Sequence, residues 1–252
     1  MGASITMSGR KDLFGGLAGD AVYVGPLWGG VLSVGGTYED AGNVTLNASD
    51  GTLRRVDARR DLLGLAGYSG ELGFDVASGF SVRILRSELV EEFRATTVMF
   101  DGGMQIKVND FIKAGVALRN FGTKTKYFED EISPSPSARV GAAFGCLLRD
   151  FLPFMRDSMD AVLLAADVDY RLVEQQVFLL GGLEYRWNNI LYLRAGGSLG
   201  SVQRLGSLSL GLGINIGGGE SAWVRRYRLD YSIRLLTLGF DAPQMLGMTF
   251  IF

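Results

Sequence analysis

Histidine is absent from the 252 residues, and cysteine occurs once, at Cys146. The first absence removes the commonest general base, the commonest zinc ligand and every triad built on an imidazole. The second excludes an internal disulfide and any multi-thiolate metal site. Charge is sparse and balanced: 25 Lys and Arg against 27 Asp and Glu, a net charge of −2. No basic field is available to hold a nucleic-acid backbone, so nucleic acid is not expected as a partner. Together these absences point away from enzymes; no catalytic residue, cofactor or metal is expected. Proline is scarce too, at 5 residues, which separates the chain from collagen-like or low-complexity sequences despite its 36 glycines. With 47% hydrophobic residues, disorder is excluded.

Long apolar runs are also nearly missing. Ala21 to Tyr38 is uncharged and long enough for a membrane helix. Gly25-Pro26, Gly29-Gly30 and Gly35-Gly36 interrupt it, so two short strands are expected instead. Met1 to Gly16 has no apolar segment ahead of a cleavage site, and no secretory signal is read there.

What is present is alternation with period two. Leu208, Leu210, Leu212, Ile214 and Ile216 are separated by Ser209, Gly211, Gly213 and Asn215, a separation that only a strand produces. The pattern returns at 104–108, 112–118, 139–146, 162–171, 182–187, 229–235 and 246–252. Weaker candidates lie at 19–25, 29–39, 61–73, 79–90 and 190–200, giving about thirteen strands. Asn109-Asp110 and Asn188-Asn189 read as tight hairpin turns. Gly122 to Ser137 reads as a long polar loop, and Phe151 to Asp160 has room for one helical turn.

The size of such a sheet decides which face is wet. A closed barrel of about eight strands is filled by its own side chains, whereas twelve or more strands leave a wide lumen. An apolar face lining that lumen would be wet, so the leucine face is expected to meet lipid and the glycine and charged face the interior. Arg119, Arg139, Asp167, Asp169, Arg171, Glu184, Arg186, Asp230 and Arg234 are the expected lumen-facing polar residues. Tyr185 and Trp187 suit an interfacial girdle, and glycines on the concave face let the wall bend. The terminal strand ending in Phe252 suits the carboxy-terminal recognition strand of bacterial outer-membrane proteins. The fold class is therefore all-β, an antiparallel transmembrane barrel of about 12–14 strands. It occupies residues 18–252 as one domain, with 1–17 as a poorly defined N-terminal remnant. A soluble sandwich or solenoid, its apolar face against a second sheet, is the alternative.

Other constellations weigh less. Asp167 and Asp169 share a face but lack a third ligand, and read as solvated or arginine-paired. Glu184, Arg186, Arg194 and Arg234 read as water-facing charges rather than a selectivity lining. Gly211-Leu212-Gly213 with Gly217 to Gly219 is no dinucleotide fingerprint, because no helix follows. Arg54-Arg55 and Arg59-Arg60 read as a solvated loop, and Cys146 as a small lipid-facing residue.

Several segments resemble a known family. An apolar strand leads into Asp101-Gly102-Gly103, and Phe111 to Leu118 into Arg119-Asn120-Phe121-Gly122. A proline-containing loop follows, and Ser137-Ala138-Arg139-Val140-Gly141 opens the next strand. With Leu229-Asp230-Tyr231 and Phe250-Ile251-Phe252, these are similar to the PorV/PorQ family of outer-membrane proteins, a branch of the FadL-like barrels, and the resemblance implies an Asn-Leu-Gly-type turn at Arg119 to Gly122. The resemblance covers about Ala18 to Phe252. It implies a barrel in the bacterial outer membrane, with outer-membrane lipid around it. Two roles are implied: receiving secreted cargo proteins with secretion-system components in type IX secretion, or taking up hydrophobic small molecules. The family's signal peptide and Asn-Pro-Ala-Gly-Leu-type segment have no counterpart here, so an N-terminal part is expected to be missing. A soluble all-β structural protein remains the reading from a different class.

Overall fold

The structure is a computed structural model that describes residues 2–11, 16–47, 52–90, 93–123, 125–127, 130–132, 134–150, 159–200, 206–217, 224–236 and 243–252. Its strands, in chain order, are β1 (Ser4–Lys11), β2 (Leu17–Leu27), β3 (Gly30–Asp40), β4 (Asn43–Asn47), β5 (Leu53–Asp57), β6 (Arg59–Gly73), β7 (Val76–Leu89), β8 (Phe93–Lys107) and β9 (Ile112–Gly122). They continue with β10 (Thr125–Tyr127), β11 (Asp130–Ile132), β12 (Ser137–Leu147), β13 (Ala161–Arg171), β14 (Gln176–Trp187), β15 (Leu191–Gly200), β16 (Ser207–Gly217), β17 (Arg226–Leu236) and β18 (Gln244–Ile251). Fourteen of them close one antiparallel barrel, while β4-β5 and β10-β11 form separate two-stranded hairpins in the connections. Among the described residues no helix is long and apolar enough to cross a membrane. Most barrel strands have 10 to 12 residues, the length a tilted strand needs to cross a bilayer.

Ion pairs identify the concave face. Arg10 of β1 reaches Glu39 of β3 over the intervening β2, at 3.2 Å. Arg194 of β15 reaches Asp230 of β17 over β16, at 2.6 Å. Side chains can reach over an intervening strand this way where the wall curves toward them. The opposite face carries the large exposed hydrophobics, such as Leu208 at 50% and Ile216 at 49% exposure on β16. Val116, Val140, Val168, Leu179 and Leu193 occupy the same outer face of neighbouring strands. The exterior is therefore an apolar band suited to hydrocarbon, with Trp187, Tyr38 and Tyr170 exposed near its edges. A soluble sandwich, which needs that face covered, does not describe this molecule.

Several expectations need correction. The segment 1–17 contains a barrel strand: β1 pairs with both β2 and β18 and closes the wall. Its sequence, SITMSGRK, has too few large apolar residues for the alternation to be visible. Ala21 to Tyr38 does divide into two strands, but the turn is Trp28-Gly29, both at positive φ, 46° and 80°. Pro26 consequently lies within β2, beside that turn and opposite Val31. Of the segment at 104–108, residues 104–107 are only the end of β8, which has 15 residues. The polar loop from Gly122 to Ser137 holds the β10-β11 hairpin. Asn188-Asn189 is a turn with both residues at positive φ, 46° and 58°, as a two-residue hairpin with the sheet's twist requires. The expected helical turn lies outside the described residues for 151–158; a short 3-10 turn, Leu148–Asp150, precedes it.

The barrel has two unlike ends. At one lie the connections 28–29, 74–75, 108–111 and 188–190, with the longer 148–160 and 218–225. At the other, the loop end, lie the two hairpins and the connections 12–16, 90–92, 172–175, 201–206 and 237–243.

Candidate functional site

The interior wall is the candidate site, and register determines what it carries. Strand pairing puts Arg119, Arg139, Asp167, Asp169, Arg171, Glu184, Arg186, Asp230 and Arg234 on one face, the face of the over-strand ion pairs. The structure does not gather all nine. Arg139 donates to Asp169 at 3.3 Å and lies 3.9 Å from Asp167, so one guanidinium answers both carboxylates of β13. Asp167 lies over Gly141: a Cβ at that position would collide with the carboxylate oxygen. The smallness of residue 141 is thus what lets Asp167 lie flat toward Arg139.

A second network runs across β14 to β17 near the turn end. Glu184 accepts from Arg186 and from Arg194, each at 2.6 Å; Asp230 accepts from Arg194 at 2.6 Å and Arg228 at 2.8 Å. Three guanidiniums thus share two carboxylates. Tyr192, only 6% exposed, sits among them with its ring centroid 5.8, 5.2 and 5.9 Å from Arg186, Arg194 and Arg228. Its hydroxyl donates to Asn189 at 2.7 Å and accepts from Asn215 at 2.8 Å. Asn189 belongs to the β14-β15 turn, so the network is tied to a hairpin whose geometry the asparagines fix. Arg171 stacks on Phe178 at 4.2 Å.

The other half of the wall differs. On β2, β6, β7 and β8 the inner face carries Val22, Leu63, Leu65, Leu85 and Met99. Leu63 lies opposite Leu85, and Arg83 lies between Leu65 and Met99 in register. Met99 is 7% exposed, and toward the loop end Thr97 and Ser87 are each 2% exposed. Ser87 donates to Asp61 at 2.5 Å, and Arg59 pairs with the same carboxylate. The expectation of a uniformly polar interior therefore fails on these strands. The reason is visible in the chain: Leu62-Leu63 and Ile84-Leu85 put an apolar residue on both faces, which also blurred the alternation there.

Where the two halves meet, β8 and β9 lose register between Phe100 and Gly102. Asn120, at φ 61°, turns its amide toward Asp101 and donates at 2.7 Å; Arg83 donates to Asp101 at 2.7 Å and to the Asn120 side chain at 2.6 Å. Arg119 to Gly122 is thus a bulge inside β9 and not a turn, a backbone state that asparagine tolerates.

Two cavities line the charged half. One, about 490 Å³, is bordered by Arg10, Glu184, Arg194, Asp230, Arg234 and Met245, over a floor of small residues such as Gly182, Gly196 and Gly211. The other, about 290 Å³, is bordered by Lys113, Arg139 and Asp167. Among the described residues no three His, Cys, Asp or Glu side chains group as a metal site would require. Cys146 lies on the outer face of β12, half-buried, and Gly211 to Gly217 is strand.

Solved structures share the architecture. The chain is similar to the Pseudomonas putida toluene transporter TodX, with 12% identity over 99% of this chain and 88% of that one, at a TM-score of 0.57. It is similar also to the Ralstonia pickettii toluene transporter TbuX, with 10% identity over the same shares and a TM-score of 0.60. At such identities the likeness is one of fold: the chain shares the closed antiparallel outer-membrane barrel of these two proteins. No protein-family model and no curated protein matches the sequence.

Proposed function

We propose that the chain is a bacterial outer-membrane channel, not an enzyme, that passes hydrophobic small molecules along the apolar half of its lumen. The observation that carries this reading is the inner strip of Val22, Leu63, Leu65, Leu85 and Met99, on a wall whose outer face is already apolar. A barrel needs leucine on its outer face for lipid; inner leucines are better explained by a solute that leaves water to meet them. The two similar solved structures being toluene transporters supports the same class of cargo. The PorV/PorQ assignment and a role in type IX secretion, with cargo proteins and secretion components as partners, draw no support from these neighbours, and uptake is the stronger reading. In a FadL-like outer-membrane orientation the loop end faces outward, and the end with the tight turns faces the periplasm.

The test is toluene entry into proteoliposomes carrying the full chain. Wild-type protein speeds entry over protein-free vesicles, and Leu63→Asp with Leu65→Asp slows it about tenfold, because two charges would line the strip. Entry no faster than in protein-free vesicles would remove the reading.

A further inference from the structure

The charge on the inner wall is unevenly distributed, although the chain as a whole has a net charge of −2. On β9 and β12 to β18 the inner face bears Lys113, Arg119, Arg139, Arg171, Arg186, Arg194, Arg226, Arg228 and Arg234, against Asp167, Asp169, Glu184 and Asp230. All four carboxylates are taken up in pairs with Arg139, Arg186, Arg194 and Arg228. Lys113, Arg119, Arg226 and Arg234 have no ion-pair partner among the described residues. They are placed at both ends of the passage: Arg119 and Arg234 toward the loop end, Lys113 and Arg226 toward the turn end. Between them lies the cavity of about 490 Å³, which Arg234 itself borders. On the apolar half Asp20 accepts from the Ser8 hydroxyl at 2.5 Å and has no cationic partner among the described residues.

We infer that this half of the lumen is a path for small anions, running beside the hydrophobic strip and independent of it. A low-dielectric wall bearing uncompensated charge of one sign concentrates counter-ions and lowers their barrier to entering the passage. The cations at each end admit an anion, and the paired guanidiniums of Arg186, Arg194 and Arg228 offer it successive weak sites. The carboxylates Glu184 and Asp230 keep each of these from holding it tightly.

Single-channel recording in planar bilayers tests this with chloride as the probe. Purified full-length barrel under a potassium chloride gradient gives a reversal potential on the chloride side. The variant Lys113→Gln, Arg119→Gln, Arg226→Gln, Arg234→Gln lowers the chloride-to-potassium permeability ratio by at least about twofold. Heat-dependent gel mobility confirms that the variant is folded, and its toluene entry stays at the wild-type rate. Absence of conductance, cation preference, or an unchanged ratio in the folded variant would overturn the inference. Leu63→Asp with Leu65→Asp should slow toluene entry without abolishing the anion preference, so failure of one path is distinguishable from failure of the other.

Discussion

The two halves of the inner wall solve the same problem differently. On β14 to β17 charges are shared: each carboxylate serves two guanidiniums, each charged member keeps some contact with water, and losing any one guanidinium leaves both carboxylates partnered. On β6 to β8 the deeper polar groups are held in separate clusters, each with its own partners. Asp101 holds Arg83 and the Asn120 amide, and Asp61 holds Ser87 and Arg59. A wet network tolerates removal of a member, whereas a dry one leaves an unsolvated charge behind.

The largest expected consequence is therefore on the apolar side. Asp101→Ala leaves the Arg83 side chain, 20% exposed, beside leucines and Met99 without its carboxylate. It should lower the unfolding free energy in urea by about 2–4 kcal/mol. Arg186→Ala, at 41% exposure in the shared network, should cost less than about 1 kcal/mol. Equal costs would erase the distinction between the halves. Next in size is Gly141→Val, whose side chain would displace Asp167 from its place beside Arg139, with an expected loss of about 1–3 kcal/mol by the same urea measurement.

The smallest effect lies outside the membrane. Glu174, in the turn after β13, accepts from the Ser135 hydroxyl at 2.7 Å. That bond, helped by the charge of Arg171, holds its carboxyl below the ordinary glutamate value. A carboxyl with a lowered folded pKa stabilises the fold above its unfolded pKa, and that contribution is lost as pH falls through the folded value. Ser135→Ala should bring the Glu174 titration, followed by NMR, back toward the ordinary range, with little change elsewhere.

How legible each half was follows from the same physics. Strands β12 to β17 showed in the sequence because one face is mostly leucine and valine and the other, Leu163 and Leu180 apart, mostly small or polar, so period two is unmistakable from Leu208 to Ile216. The ion-pair partners were not legible: Arg194 reaches Asp230 because β16 places only Gly211 and Gly213 beneath it, and spacing does not encode that. On β6 to β8 apolar residues on both faces concealed the alternation, and the inner strip with it. In β1, small and polar residues left nothing to alternate. The β9 bulge had one signal, an asparagine inside an apolar strand, which also fits a turn.

The most direct test of the central account, a lipid-facing exterior around a lumen with one wet and one apolar wall, is a spin-label accessibility scan in bilayers on a Cys146→Ala background. Labels would be placed at 208–216 on β16 and 62–66 on β6, with oxygen reporting lipid and a neutral nickel chelate reporting water. The account predicts that even positions on both strands favour oxygen. It predicts that odd positions favour nickel on β16, and that 63 and 65 exclude nickel on β6. Nickel access at 63 and 65 equal to that at 209 and 211, or no alternation along β16, would contradict it.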